Sequence, residues 1–308
     1  MVEQRTENPR VGSSILPLAT NLLLEMADIF VGRFLLPFRR VRHEHSFESV
    51  SASERGNSLL GNRSLSWTKW AMRQIRDYSD QRNKAWCVHC RSGLPEVGIS
   101  RDHVPSKALL EKPYPSQLPT IPICKQCNED FARDEEYFAA FVGCVLSGST
   151  DPQAQSDPRA ARILDRSPGL RDSIERSKVE YETRGGSTQK LWTPKDDRLK
   201  RVIVKNARGH ALYEYGKPML EEPSSVWYSP ILAMTEDQHR MYFHADESDV
   251  VPEVGSRMLT RVVTGEGLVD GWVEVQKGVY RYSLVQLGSV TVRSVIREYL
   301  ATEVLWPN

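Results

Sequence analysis

Hydrophobic positions recur with two different periods along the chain, and the change of period marks its organisation. Between Val11 and Phe38 the sequence is strongly apolar, and Asn21, Glu25, Asp28 and Gly32 interrupt it at spacings of four, three and four. That spacing draws one narrow stripe down a helix, while Leu18, Leu22, Leu23, Met26, Ile29, Phe30 and Phe34 cover the rest of its surface. The pattern predicts a helix with most of its circumference buried, against the body of the protein or a second subunit. A membrane-surface helix and a true span are the alternatives. The charge-free run from Val11 to Leu24 is only 14 residues long, against the roughly 20 that a span needs, so membrane association is not expected. No small-residue cleavage site follows, which argues against a secretory signal.

Ser, Asn, Gly and Arg dominate residues 44–66, which read as a linker. Trp67 to Arg82 has helical spacing in Trp67, Trp70, Ala71, Ile75 and Tyr78, and a long apolar-striped helix is expected to follow Cys127 as far as Leu146. Ser147 to Asp172 is rich in loop-forming residues, with a polar helix expected near Leu170 to Thr183. Beyond Leu191 the runs become short, β-branched or aromatic and are punctuated by Gly or Pro. Val202 to Val204, Trp227-Tyr228, Met241 to Phe243, Leu268 to Gln276 and Val279 to Leu287 read as strands. Val290 to Leu305 closes the chain as a strand running into a helix, or as a terminal helix. The division expected is an N-terminal helical segment (1–43), the linker (44–66), a small α+β unit (67–150), a polar connection (151–190) and a β-rich C-terminal domain (191–308). The fold class expected is therefore α+β.

Composition narrows the class. Apolar residues make up 40% and charged residues 26% of the chain, which excludes a mainly disordered protein. Lys and Arg number 41 against 40 Asp and Glu, a net charge of +1. A protein that coats nucleic acid along its whole length is far more basic, so any such contact must be local. Four of the five cysteines form two C-x-x-C pairs, too few for a disulfide-stapled secreted domain and suited to one metal site in a reducing, cytoplasmic setting.

The pairs are Cys87-Val88-His89-Cys90 and Cys124-Lys125-Gln126-Cys127. Each presents two thiolates to one ion, and together they make the tetrahedral sulfur shell that Zn²⁺ prefers. A closed four-sulfur site has no open position, so this zinc is structural. Cys144 lies in an apolar run and reads as a buried small hydrophobe, and His89 is the alternative ligand should one thiolate be absent. Between the pairs stands Ser100-Arg101-Asp102-His103-Val104-Pro105, and Asn128 follows the last cysteine. Asp102 offers a hard oxygen ligand and His103 a base that titrates near neutrality. Neighbours on an ideal strand face opposite sides, so their convergence needs a bend, for which Pro105 is the candidate.

Cys87-x-x-Cys90, Asp102-His103 and Cys124-x-x-Cys127-Asn128 together resemble the HNH, or ββα-metal, nuclease superfamily, in the zinc-bearing variety of phage junction-resolving endonucleases and many bacterial HNH proteins. Asp102 to Pro105, Ile121 to Cys124 and Asp134 to Phe138 resemble a bacterial subgroup in particular. The likeness covers residues 86–146. It implies a β-hairpin followed by a helix, with a catalytic Mg²⁺ or Mn²⁺ where they meet, His103 as general base, and Asp102 and Asn128 as cation ligands. It also implies DNA hydrolysis and a place in restriction or phage defence. The middle Asn of the family signature is not evident, and Gln117 is the nearest amide side chain.

Residues 63–112 carry ten Lys/Arg against five Asp/Glu, and Arg101 and Lys107 are the expected phosphate contacts. Asp130, Asp134, Glu135 and Glu136 suit the N-terminal turns of a helix, with Asp134 or Glu135 a weaker candidate for the cation. His210, in an expected turn, and His239 and His244, flanking an expected strand, read as surface or packing residues. Two other functions fit the same residues: a non-catalytic zinc module that binds nucleic acid or protein, and an RNA-cleaving effector. Self-association or a partner protein would use the N-terminal helix or the C-terminal domain.

Overall fold

The computed structural model describes residues 34–35, 74–182, 188–243, 252–286 and 288–307. Most of the apolar N-terminal segment, the linker, Trp67, Trp70 and His244 lie outside them. Phe34–Leu35 (β1) is a strand and not part of the helix expected there. Among the described residues no helix is long and apolar enough to cross a membrane.

The cysteine-bearing region forms a short helix Leu94–Val97 (α1), a hairpin of Ile99–His103 (β2) and Thr120–Cys124 (β3), and the helix Lys125–Ser147 (α2). The α2 helix starts where the Cys124 sulfur accepts the Cys127 amide. It stops at Gly148, whose left-handed backbone returns an N–H to the Cys144 carbonyl. Tyr137, Phe138, Phe141, Val142 and Val145 recur at helical spacing and are all buried. Pro158–Arg166 (α3) and Pro168–Glu175 (α4) follow, each with proline in its first turn. The expected helix near Leu170 to Thr183 ends early, giving way to Lys178–Glu182 (β4), which pairs with Thr188–Trp192 (β5); β1 takes the other edge of β5.

Asp196–Tyr215 (α5) is the central helix, and all residues from Lys205 to Tyr215 are buried. Val202 to Val204 lies inside it, so the β-branched triplet expected to be a strand is helical. The triplet contributes to a stripe that packs on α2, and tertiary burial overrides the local β preference. His210, expected in a turn, is also inside α5: its Nε2 is 2.9 Å from the Tyr280 hydroxyl and its ring stacks on Tyr282 at 3.8 Å. Burial pushes its pKa down to about 3, so the ring is neutral.

The C-terminal sheet has the order β6-β10-β9-β8-β7 and is antiparallel throughout. Its strands are Ser225–Pro230 (β6), Val273–Gln276 (β7), Tyr280–Gln286 (β8), Ser289–Ile296 (β9) and Leu300–Pro307 (β10). The closing segment is thus two strands and not a terminal helix. Met241 to Phe243, expected as a strand, ends the helix Glu236–Phe243 (α6). The Tyr242 hydroxyl of α6 donates to the Ser294 carbonyl, the closest of its sheet contacts at 2.8 Å. The helix expected over Trp67 to Arg82 is absent over its described part, where Gln74 to Tyr78 form no regular element and the chain makes one 3₁₀ turn at Gln81–Lys84. A last helix, Arg257–Thr264 (α7), sends Arg261 into the core, where its Nε donates to Glu214 of α5 at 2.9 Å. One cluster of buried residues runs from Leu109 through α2 and α5 to Trp306.

Candidate metal centre and hairpin site

Cys87 sits in a tight turn in which its amide donates to the Ser92 carbonyl at 2.8 Å and its carbonyl accepts from Arg91. Arg91 takes the left-handed backbone this turn requires. The first pair is thereby carried to the end of β3, where Cys124 and Cys127 open α2. All four sulfurs lie within 4.8 Å of one another, and Cys90 and Cys124 are 3.6 Å apart. Zn–S bonds of about 2.3 Å at tetrahedral angles put sulfurs about 3.8 Å apart, so the set matches a zinc shell, and the separation is far beyond a disulfide bond. The acid–base chemistry agrees. Burial pushes Cys90 up, but hydrogen bonding with Ser92 outweighs it and brings its pKa to about 6. Burial, followed by the neighbouring thiols, pushes Cys127 well above the ordinary thiol range. Four thiols in this space ionise together only around a cation. His89 is not among the clustered ligand atoms, and its ring lies edge-on to Phe131 at 4.8 Å between ring centroids.

The residues expected to form the second site fall on two sides of β2. Its burial alternates residue by residue, with Asp102 buried between exposed Arg101 and half-buried His103. The chain stays extended through His103, and its break comes only afterwards, at the cis Val104–Pro105 bond. Pro105 therefore does not bring the two side chains onto one face. On the inner face, Asn128 of α2 donates from Nδ2 to the Ser100 hydroxyl at 2.9 Å. Two residues along, both Asp102 carboxylate oxygens lie 2.9 Å from Lys205 Nζ of α5. The same ammonium reaches Glu135, two helical turns beyond Asn128. Asp134, the other carboxylate considered for a cation, instead pairs with Arg198 at 2.6 Å and Arg201 at 2.7 Å.

Lys205 is the residue that sequence reasoning missed. It lies about 80 residues beyond the cysteines, on a helix read as a strand, and no local motif marks it. Its side chain is 3% exposed, and its neighbours on α5 secure the same docking. Asn206 accepts from the Ser106 amide at 2.8 Å. Gly209 lies so close to the hairpin that a Cβ there would meet Val104 Cγ2 at 2.9 Å. Burial raises the Asp102 pKa, more than Lys205 lowers it, and Glu135 adds to the rise.

On the outer face, Arg101 and His103 alternate with these residues. Burial is the largest cause lowering the His103 pKa, followed by the charges of Lys107 and Lys205. The imidazole is accordingly neutral at pH 7 and able to accept a proton. Lys107 lies over the Tyr114 ring at 5.4 Å. Gln117 takes a left-handed backbone and its carbonyl accepts from Gln74 Nε2 at 2.9 Å. In comparisons with known proteins, no family model, no curated protein and no solved structure matches this chain.

Proposed function

We propose that the protein is a zinc-scaffolded phosphodiesterase that hydrolyses the DNA backbone at the outer end of the hairpin. The observation that carries this reading is the strand–strand–helix order clamped by four cysteine sulfurs, with Asp102-His103 ending the first strand and Asn128 in the first helical turn. His103 is the general base: its imidazole is neutral at pH 7 and partly open to solvent, so it can take a proton from an attacking water. Arg101 and Lys107 position the phosphate beside it. Lys205 acts on both faces of the strand, since its ammonium holds Asp102 and also lowers the His103 pKa.

A catalytic Mg²⁺ or Mn²⁺ would draw on Asp102, Glu135 and the Asn128 amide oxygen, an oxygen set suited to a hard cation, but these lie on the inner face of β2, opposite His103, and do not fit an ion that acts on a phosphate beside it. As the residues stand, Lys205 occupies both carboxylates.

The experiment is plasmid nicking by the wild-type protein and by His103→Ala with Mg²⁺ or Mn²⁺ added, with RNA digested in parallel. Loss of about 10²–10⁴-fold in rate is expected for His103→Ala. Equal nicking by both proteins removes His103 from the chemistry, and preferential RNA cleavage transfers the activity to RNA. A second reading, a non-catalytic zinc module, is favoured by one observation: Lys205 fills the place of the expected cation. Under that reading the zinc-loaded protein binds no second divalent ion, which metal titration decides.

A further inference from the structure

On the far side of the zinc knuckle a cleft of about 560 Å³ opens between the first turns of α2, one face of α5 and the segment leading into β6. This is within the range of small-ligand sites. Its α5 wall is a single helical stripe, Asp197, Lys200, Arg201, Val204, Lys205 and Arg208, at spacings of three and four. Phe131 and Val226 supply apolar wall opposite and beside it.

Two of the polar residues in this cleft are incompletely satisfied. Arg208 is 5% exposed, yet its Nε has no hydrogen-bond partner among the described residues. Both ring nitrogens of His89 are buried in the same condition. Buried polar atoms without partners are uncommon and point to something that is bound there. The rest of the Arg208 guanidinium donates to the Glu221 carbonyl at 3.0 Å and the His89 carbonyl at 3.4 Å and pairs with Glu222 at 3.1 Å, a carboxylate whose side chain is 83% exposed. Lys200 at the open end is similar, pairing with Asp196, which is 51% exposed. An arriving anion would displace these solvated carboxylates, while the His89 and Glu221 carbonyls hold the Arg208 guanidinium in place, Lys205 keeps Asp102 and Arg201 keeps Asp134. Asp130, Asp197 and Glu222 also line the cleft and bar a purely electrostatic, indiscriminate anion trap. A ligand must combine charge with an apolar body.

We infer that this cleft binds a nucleoside monophosphate group, with its phosphate on Arg208 and the inner end of the cleft and its base and sugar along Phe131, Val204 and Val226. The site is separate from His103 and does not depend on cleavage. The group can come from a free nucleotide or from the 5′-phosphorylated end of a nucleic acid. Both are compared by calorimetric titration of the full zinc-loaded chain without added divalent cation, using nucleoside 5′-monophosphates, the matched nucleosides, inorganic phosphate, and a short oligonucleotide with and without its 5′-phosphate.

The monophosphate should bind at least 10-fold more tightly than its nucleoside and than phosphate alone. Arg208→Met should weaken binding at least 10-fold, and Lys200→Glu, at a half-exposed position that does not threaten folding, by several-fold. His103→Ala should leave binding unchanged. A preference for the 5′-phosphorylated oligonucleotide over the free nucleotide assigns the cleft to nucleic-acid ends, and the reverse to free nucleotides. The inference is overturned if nucleoside and monophosphate bind alike, if Lys200→Glu binds as wild type, or if His103→Ala abolishes binding. None of these outcomes bears on plasmid nicking.

Discussion

Replacing Lys205 with Met probes the junction on which the hairpin, α2 and α5 converge. Methionine keeps the length of the apolar stem and removes the ammonium, leaving Asp102 and Glu135 facing each other without the cation between them. Both Asp102 oxygens lie 2.9 Å from Nζ, and the lysine is 3% exposed. The full cost of breaking a buried pair therefore applies, about 3–5 kcal/mol. Its pH dependence follows from Asp102. Burial already raises that carboxyl above its unfolded value, and Lys205 is the main influence holding it down. In Lys205→Met it rises further, so the folded protein keeps a proton on Asp102 to a higher pH than the unfolded chain does. Stability from that proton is present at low pH and is lost as pH rises through the folded pKa. The deficit against wild type should therefore be larger at about pH 8 than at about pH 5. Equilibrium urea unfolding of both proteins at the two pH values measures it, and comparing them cancels the shared pH dependence of the cysteine site. Adding Asp102→Asn should recover much of the loss, since the stranded charge is gone. A deficit below about 1 kcal/mol at both pH values, the size of an exposed pair, would refute the buried bridge.

Elemental analysis should find one zinc per chain, and Cys124→Ser should lose it; because serine is itself a good N-cap, the resulting drop in melting temperature reports the metal and not the helix start. In the zinc-loaded protein without other divalent ions, NMR titration of the His103 ring should give a midpoint below 6.5, and Lys107→Met should raise it, because a nearby positive charge disfavours the imidazolium. Gly209→Ala should destabilise by about 1–3 kcal/mol through overpacking against Val104, less the roughly 1 kcal/mol gained in helix propensity. Val104→Ala in the same chain should relieve the contact, and denaturant midpoints for the three variants test this.

The parts of the fold that the sequence made legible are those written in short-range chemistry. The cysteine spacing announced a four-sulfur cluster, and the stripe from Tyr137 to Val145 announced α2. Trp227-Tyr228 and Val279 to Leu287 announced strands, because Gly and Pro frame them. Val202 to Val204 misled because three β-branched residues carry a local strand signal, whereas what decides their state is the burial of a whole helix between α2 and the sheet. The turn expected around His210 misled for a similar reason, with Gly209 and Asn206 just before it in the chain. One is small so that the hairpin can approach, and the other turns its amide oxygen to the Ser106 backbone. The candidate hairpin site was legible residue by residue but not in its arrangement. Strand alternation through His103 separates it from Asp102, and Lys205 arrives from a distant helix whose type was misread.

The cysteine knuckle and hairpin bury a small cluster of their own, but Leu212 and Tyr213 of α5 complete it, and α5 also runs through the large cluster from Leu109 to Trp306, so the hairpin cannot be detached without opening α5. A fragment ending near residue 150 would keep all four sulfur ligands and yet present Tyr137, Phe141 and Val145 to water, inviting aggregation. Heating should then melt the hairpin and the C-terminal sheet in a single cooperative event, and stripping zinc at one end should be felt as loosened protection of amides in β8 and β9 at the other.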